Sequence, residues 1–329
     1  MAALTEHVPK ALLPCVDDTL LGRLVVTLEA AGVDSFTVAV GWKGSRVRRH
    51  VETHLRDKKI DMVDVADYEI GPLQTLVTAL EHVEDDVVMV VPADLVANAE
   101  AARALLRSWD CHDPVTLSVD IGSTGGSAVY VDSEGHLSSI GVPSSGARFL
   151  GSSSMMLLMR TDIGDLCRRL IENGQTRVVD VLNTLLKRGD HVSHTSTPGP
   201  WFDIDSVSAL LNLNHYYLDR VAQVQSGCLF VPPGDTVHFG APVRLGSSIT
   251  IGAGSEIRGP TLVGPGCSVG GDSRAGPYTI LVDDSHLGLR SETRESIVFG
   301  QSRIGDDMVV DSCVVHGGVT YGRNDCNEP

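Results

Sequence analysis

In the second half of the chain, an apolar or small residue returns at every sixth position. The series is Phe239, Leu245, Ile251, Ile257, Val263, Val269, Ala275, Leu281 and Leu287, and after a one-residue slip it resumes at Val298, Ile304 and Val310. Most of the first nine are followed directly by glycine, which permits a tight bend, and the residue four positions later is usually small. A generic glycine-rich loop does not hold such a period over nine units.

This period predicts a left-handed parallel β-helix, in which three short strands form each turn and the six-residue positions point into a narrow interior. We expect this coil to form a second domain over residues 226–329. Coils of this kind usually stack subunits, so the sequence predicts a homo-oligomer that assembles through the coil. Some relatives of such coils carry an acyltransferase, but a polar stretch follows Gly322 here. Acyl transfer is therefore not expected, and His316 is interpreted as a lining or surface histidine.

Residues from Leu20 to about Leu218 instead alternate between helical and strand patterns. The predicted helices are 20–31, 45–55 and 73–82, and the predicted strands are 35–41, 86–91, 116–119, 127–131 and 136–140. The near-continuous apolar run 86–91 is typical of a strand in a parallel sheet that helices cover on both faces. We therefore predict a Rossmann-like α/β domain with a mostly parallel sheet over residues 1–225.

Length and composition argue against several classes of protein. A chain of 329 residues is long enough for two domains, and we expect neither a membrane span nor a signal peptide in it. Its seven cysteines are an odd number without a C-x-x-C pair, which predicts reduced thiols and a cytoplasmic location.

The net charge of −16 predicts an acidic surface. The acidic residues are 29 Asp and 13 Glu, and the basic residues are 21 Arg and 5 Lys. High salt screens the repulsion among the charges of an acidic surface, so a halophilic cytoplasm favours surfaces rich in short acids and poor in lysine. One hypothesis is therefore a salt-loving source. The alternative is high genomic GC content, which also raises Asp and Arg over Glu and Lys. This acidity argues against nucleic acid as a partner. His50 and His54 lie one helical turn apart and could bind a metal ion together, but no third ligand is nearby in the sequence.

The first fifteen residues form a loop pattern punctuated by proline. Leu4-Thr5 is followed by Pro9-Lys10 and then by Leu12-Leu13-Pro14. This pattern resembles the downstream part of the signature of sugar-1-phosphate nucleotidyltransferases, which an apolar strand and the segment G-x-G-T-R precede. The resemblance implies that Lys10 contacts a phosphate, and that a glycine-rich turn brings backbone N–H groups against phosphate oxygens. We expect the reading frame upstream of Met1 to encode that strand, loop and arginine; alternatively, the protein lacks the loop.

Two aspartates match metal ligands of the same family. The segment from Val90 to Asp94 is similar to the family's apolar run followed by Gly-Asp, and Trp201-Phe202-Asp203 is similar to its W-x-D segment. The resemblance implies that Asp94 and Asp203 hold Mg²⁺, and the carboxyl end of a buried strand is where open α/β sheets bind ligands. Helix capping is the alternative role for Asp94, and capping explains Asp205 better than Asp203.

Several positions depart from the family's pattern. Ala66 holds the place of a base-reading glutamine, 141–143 replaces the sugar-binding E-K-P, and 153–157 replaces N-A-G-x-Y. Gly71-Pro72-Leu73 is similar instead to molybdopterin-type nucleotidyltransferases. The resemblance implies an enzyme that joins a nucleoside triphosphate and a sugar-1-phosphate into an NDP-sugar and pyrophosphate. The replaced positions predict weak or absent turnover by this chain. The alternative is a non-catalytic paralogue that acts as a regulatory or assembly subunit of an active relative.

Overall fold

The computed structural model describes residues 1–220, 227–239, 243–245 and 248–323, with the backbone alone at 243–245. Internal contacts divide the chain into an α/β unit, Leu21–Asp203, and a coil unit, Met1–Leu20 together with Ile204–Pro329. The domain boundary expected after residue 225 stays a prediction and lies outside the described residues. No helix in the described part of the chain is long and apolar enough to cross a membrane.

Helices are most frequent in the α/β unit. The α-helices of the described residues are α1 Ala2–Thr5, α2 Leu20–Ala31, α3 Gly44–His54, α4 Pro72–Leu80, α5 Ala99–Arg107, α6 Gly164–Glu172, α7 Val178–Arg188 and α8 Val207–Leu218. Short 3₁₀ helices cover Lys10–Leu12, Tyr68–Ile70 and Thr161–Ile163. The three helices predicted from apolar spacing are confirmed as α2, α3 and α4, because their apolar stripes pack against neighbouring elements.

Twelve short and long strands precede residue 204 in the described residues. They are β1 Pro14–Cys15, β2 Asp18–Thr19, β3 Phe36–Val40, β4 Ile60–Asp64, β5 Val87–Val90, β6 Leu95–Val96, β7 Val115–Ile121, β8 Ser127–Val131, β9 Leu137–Ile140, β10 Arg148–Arg160, β11 Val192–Ser196 and β12 Phe202–Asp203. The five predicted strands are confirmed as β3, β5, β7, β8 and β9.

The strand β10 joins most of the sheet of the α/β unit. It pairs antiparallel with β5, β7 and β8, and the sheet runs in the order β11-β7-β10-β8-β9. The β7–β11 ladder is parallel, and β3 and β4 form a separate parallel pair. The sheet is therefore mixed rather than mostly parallel, because β10 runs against three of its neighbours. The sequence did not predict β10, since Gly151 and three serines interrupt its apolar pattern.

Helices cover both faces of this sheet. Leu76 of α4 and Leu182 of α7 lie in one buried cluster with Leu157 of β10. Leu28 of α2 lies in a second cluster with Leu158 of β10. Adjacent side chains of a strand point to opposite faces, so neighbours in β10 belong to different clusters. The prediction that helices cover both faces is confirmed.

Sixteen short strands of the described residues form the coil. They are β13 Leu229–Val231, β14 Thr236–His238, β15 Val243–Leu245, β16 Ile249–Ile251, β17 Glu256–Arg258, β18 Thr261–Val263, β19 Ser268–Val269, β20 Arg274–Ala275, β21 Thr279–Leu281, β22 His286–Leu287, β23 Glu292–Arg294, β24 Ile297–Phe299, β25 Arg303–Ile304, β26 Val309–Asp311, β27 Cys313–His316 and β28 Val319–Gly322.

Parallel strands of the coil recur once per turn in three ladders. Thr250 of β16 is the register partner of Ser268 in β19, which is the partner of His286 in β22. This offset of 18 residues equals three units of six. The inward positions predicted from Ile251 to Val310 are buried, and none of these side chains is more than 7% exposed. Phe239 is half-buried, and the side chain of Leu245 lies outside the described residues.

Antiparallel strands close both ends of this parallel stack. The first three strands, β13, β14 and β15, pair antiparallel with β18, β17 and β16. At the other end, β28 turns back and pairs antiparallel with β27. Phe239 and Leu245 therefore belong to a closing layer rather than to the parallel ladders. These strands cover edges that would otherwise present unpaired backbone groups.

One buried amide fixes α8 within the coil unit. The Oδ1 of Asn214 accepts the N–H of Val16 at 2.7 Å, and its Nδ2 donates to the carbonyl of Pro14 at 3.0 Å. Asn214 is 1% exposed, and Val16 and Pro14 are buried as well. Val16 has a φ of 59°, a left-handed conformation that costs a β-branched residue energy. The side-chain amide of Asn214 compensates for this strain, because it forms hydrogen bonds with the backbone groups of Val16 and Pro14.

We expect Asn214→Ala to lower the free energy of unfolding by about 2–4 kcal/mol, because two buried backbone groups lose their partner. The measurement is urea unfolding followed by circular dichroism. Asn212→Ala is the matched control, since Asn212 is exposed on the same helix, and we expect a change below about 0.5 kcal/mol there. Equal losses in the two variants would contradict the anchoring role of Asn214.

Candidate functional site

A short antiparallel ladder brings the two predicted metal ligands together. Leu95 of β6 is the register partner of Asp203 in β12. Asp94 directly precedes Leu95 and β6, so the backbone of Asp94 lies close to that of Asp203. Asp94 is half-buried and Asp203 is exposed. The ladder therefore places the backbones of two aspartates that are far apart in sequence next to each other.

The segment that carries Asp203 is held by the side chain of Asn98. The Nδ2 of Asn98 donates to the carbonyl of Pro198 at 2.9 Å. Gly199 has a φ of 81°, and a Cβ at this position would clash with the amide nitrogen of Asn98. Glycine is therefore required here both by the backbone conformation and by the close approach.

Trp201 makes a second attachment for the same segment. Its Nε1 donates to Oδ2 of Asp120 in β7 at 3.0 Å. The indole ring is half-buried against the cluster that contains Leu158. Gly126 leaves space for this ring, because a Cβ there would approach the ring and the carbonyl of Ser153. The sequence pattern marked Trp201 as part of a family segment but did not predict its partner Asp120.

Helix capping explains neither Asp94 nor Asp205. The N-cap of α5 is Asn98, whose Oδ1 accepts the N–H of Ala101 at 2.9 Å. The N-cap of α8 is Ser206, whose hydroxyl accepts the N–H of Ala209. The capping alternatives for Asp94 and Asp205 are therefore wrong. Asparagine and serine are both preferred N-cap residues, so the sequence contained the signal.

Asp94 lines a large cleft within the α/β unit. The cleft has a volume of about 1390 Å³, and Pro92 and Ala93 line it beside Asp94. Other lining residues come from α2, α4, β3 and β5. Its volume exceeds the usual range of small-molecule sites, about 300–1,000 Å³. The cleft combines largely apolar walls with a carboxylate that follows the carboxyl end of β5.

The other candidate metal groups are weaker. Three potential ligands within reach of one another occur, in the described part of the chain, only at the exposed group Asp110, Cys111 and His112. The rings of His50 and His54 stack at 4.6 Å. Burial, with the nearby His54, lowers the pKa of His50 to about 4. No cluster of three that includes this pair is found among the described residues.

The remaining predicted residues lie in different surroundings. Lys10 is half-buried in the 3₁₀ helix Lys10–Leu12 of the coil unit, and its phosphate contact stays a prediction. Ala66 is exposed, and Val142 is 78% exposed in a turn. Ser153 is buried in β10 beside a register shift, and its Oγ accepts the N–H of Met155. Met155 has a φ of 59°, so the chain bulges where the family carries N-A-G-x-Y.

The α/β unit places Asp94 beyond the carboxyl end of the half-buried strand β5, which is where open α/β sheets bind their ligands. The sequence profile of the MobA-like NTP transferase domain matches residues 4–187, which is more than half of the chain. The chain belongs to this family. The prediction of nucleotidyltransferase membership is therefore confirmed.

Two relatives extend this result. The bifunctional protein GlmU of Methanocaldococcus jannaschii is 22% identical over 321 residues, covering 94% of this chain and 74% of that protein. The solved structure of HddC from Yersinia pseudotuberculosis, complexed with GMP-PN, has a TM-score of 0.52 and 16% identity. That similarity covers 64% of this chain and 90% of HddC, and it shows a shared fold.

We expect Asn98→Asp to release the segment that carries Asp203 without weakening α5. Aspartate caps a helix as well as asparagine does, but it cannot donate to the carbonyl of Pro198. Backbone amides of Phe202 and Asp203 should exchange with deuterium about fivefold faster, as loss of one hydrogen bond implies. Amides in the first turn of α5 are the internal control. Faster exchange in α5 alone would contradict this division of roles.

Proposed function

We propose that this protein is a sugar-1-phosphate nucleotidyltransferase, which joins a nucleoside triphosphate and a sugar-1-phosphate into an NDP-sugar and pyrophosphate. One observation carries the proposal. In a chain of the NTP transferase family, the β6–β12 ladder sets Asp94 and Asp203 at neighbouring positions, and Asp94 lines a cleft. The similarity to HddC, whose structure is a complex with GMP-PN, supports a nucleotide as one substrate.

In this proposal the two aspartates hold Mg²⁺. Two aspartates with neighbouring backbones would be a fitting donor set, because Mg²⁺ prefers oxygen ligands and is commonly bound by one or two carboxylates plus water and substrate phosphates. The bound ion would neutralise charge on the phosphates. The attachments at Asn98 and Trp201 keep Asp203 in position. Lys10 is assigned to a phosphate group.

The nucleotidyl transfer requires little covalent chemistry from the side chains of the protein. The sugar phosphate oxygen attacks the α-phosphorus, a P–O bond forms, and the bond to the pyrophosphate oxygen breaks in line with it. The side chains orient the two substrates and exclude water from between them. A half-buried carboxylate such as Asp94 suits this task, because its position is fixed by the β5–β6 connection.

We further propose that the coil is a left-handed parallel β-helix that joins subunits into a trimer or a dimer of trimers. The 18-residue offset and the three ladders support this architecture. Antiparallel strands cap the ends, so association would use the sides of the coil. Large apolar side chains of the coil are exposed at Leu289, Met308, Val309 and Val319.

The thiols support the proposed cytoplasmic location. Cys167 and Cys267 are buried thiols. Burial raises the pKa of Cys167 to about 11 and that of Cys267 to about 12. A thiol that is protonated at neutral pH is a poor nucleophile, so these residues are structural.

The second candidate function is that of a non-catalytic regulatory or assembly subunit. Specific departures from the family pattern favour it: 141–143 is an exposed turn, and the bulged segment 153–157 carries serine and methionine in place of N-A-G-x-Y. These are the positions at which the family contacts its sugar. Such a subunit would keep the fold and the coil while losing turnover.

We expect release of pyrophosphate from one of the four nucleoside triphosphates when Mg²⁺ and a panel of sugar-1-phosphates are present. Turnover should be slow, and it should rise when the upstream reading frame is included in the expressed chain. Asp94→Asn and Asp203→Asn should each lower the rate by about 10²–10³-fold, since a metal supplies several kcal/mol of charge stabilisation.

Asp205→Asn is the matched control for these variants, because Asp205 is exposed two residues from Asp203. Its rate should stay within about twofold of the unchanged protein. If no nucleotide and sugar phosphate pair reacts in either form of the chain, the regulatory function replaces the enzymatic one. Co-purification with an active relative then becomes the decisive assay.

We expect the double variant Met308→Asp, Val309→Asp to contain fewer subunits per particle than the unchanged protein by light scattering. A buried charge without a partner opposes an apolar interface. Val142→Asp is the control, because Val142 is equally apolar and more exposed but lies in the α/β unit. Equal particle masses for all three proteins would exclude this face of the coil as the interface.

A further inference from the structure

The connection between α5 and β7 carries three metal-binding side chains in succession. Its central residues are Asp110, Cys111 and His112, and all three are exposed. A carboxylate oxygen, the Sγ and an imidazole nitrogen of this group all lie within 4.8 Å of one another. None of the three is among the described residues that line the cleft. The group therefore has no part in the proposed reaction, and its chemistry has to be considered separately.

A backbone turn makes these side chains converge. Consecutive side chains of an extended strand point to opposite sides. Here the N–H of Asp113 donates to the carbonyl of Asp110 at 3.0 Å, which closes the chain into a turn. The N–H of His112 also donates to Oδ1 of Asp110 at 3.0 Å. Because a carboxylate has a second oxygen with its own lone pairs, Oδ2 of Asp110 can still accept a cation.

Both ends of this turn are attached to the interior of the α/β unit. On one side, Trp109 packs against the buried cluster that contains Leu158. On the other side, Asp113 is only 5% exposed, and its carboxylate accepts hydrogen bonds from Nδ1 of His191, at 2.7 Å, and from the hydroxyl of Ser193. A segment that is already fixed at both ends loses little conformational entropy when a ligand orders it.

The three donor types select a particular class of ion. Thiolate and imidazole are ligands of Zn²⁺ and related transition ions, whereas Mg²⁺ and Ca²⁺ prefer oxygen ligands alone. Donors on a tetrahedral Zn²⁺ ion are about 3.3–3.6 Å apart, given bond lengths of about 2.0–2.3 Å. The donors of this group would have to approach one another by about 1 Å, which exposed side chains achieve by small rotations.

We propose that Asp110, Cys111 and His112 bind one Zn²⁺ ion, with water as the fourth ligand. The thiol of Cys111 loses its proton to solvent, and the thiolate, the imidazole and the carboxylate each donate a lone pair to the ion. The net charge of −16 raises the concentration of cations around the protein and favours binding. Because the group is exposed, the fourth position opens to solvent.

This site differs from the proposed Mg²⁺ site in its ion and in its residues. Zinc at the turn would fix the connection between α5 and β7. It would also protect Cys111 from alkylation and oxidation, because a thiolate bound to a metal shares the lone pair with which it would otherwise react.

Zinc titration of the 329-residue chain, in competition with a chromophoric chelator and in excess Mg²⁺, tests the proposal. We expect one Zn²⁺ ion per chain that Cys111→Ser and His112→Gln each weaken by at least about tenfold, since loss of even an outer partner of a ligand costs about 10–100-fold in affinity. Asp94→Asn should leave this affinity unchanged, which separates the turn from the site of the proposed reaction.

Cys228→Ser and His82→Gln are the matched controls. They remove a half-buried thiol of the coil unit and an exposed imidazole of the α/β unit. Each should keep the zinc affinity within about twofold of that of the unchanged protein. The substituted residues of the turn are exposed, so their variants should give the same circular dichroism spectrum as the unchanged protein.

Cobalt supplies a measurement that does not depend on affinity. Co²⁺ bound by a thiolate has a charge-transfer absorption in the near ultraviolet that oxygen and nitrogen ligands do not produce. We expect this absorption in the unchanged protein and in Cys228→Ser, and its loss in Cys111→Ser. Failure of the chain to bind zinc, equal zinc affinities in the turn variants and the controls, or a cobalt complex without the thiolate absorption would each overturn the proposal.

Discussion

Backbone hydrogen bonding through β10 organises the α/β unit. β7 pairs along most of one edge of β10, whereas β8 and β5 share the other edge, β8 against its first half and β5 against its second. The register shift after Ser153 separates these two halves. Because buried N–H and C=O groups need partners, this division fixes where β5 lies in the sheet.

The candidate site lies at the periphery of this arrangement, and its position depends on it. Asp94 comes shortly after β5, so the position of β5 sets the position of the first carboxylate. The second carboxylate depends on three weak attachments: the β6–β12 ladder, the amide of Asn98 and the indole of Trp201. Each attachment joins residues that are distant in sequence. A site built in this way is sensitive to substitutions that touch neither aspartate.

The coil is stabilised by a different principle. Its inward residues stack on those of the preceding turn, so each turn contributes a similar apolar contact and the structure grows by repetition. The antiparallel strands at both ends stop that growth. On one outer face, the register partners Leu262, Ile280 and Ile297 are buried, so this ladder is not exposed to solvent. The remaining sides are therefore the surfaces available for association.

The sequence alone determined the features that depend on local periodicity. The apolar spacing of α2, the run of β5 and the six-residue positions of the coil each repeat within a few residues, so their secondary structure could be predicted. The resemblance to nucleotidyltransferase segments singled out Asp94 and Asp203 as candidate site residues. Tertiary structure decided the rest: the direction of β10, the neighbourhood of the two aspartates, and the capping role of Asn98 in place of Asp94. These features depend on pairings between distant segments, and the energy of such a pairing cannot be inferred from the sequence of either segment alone.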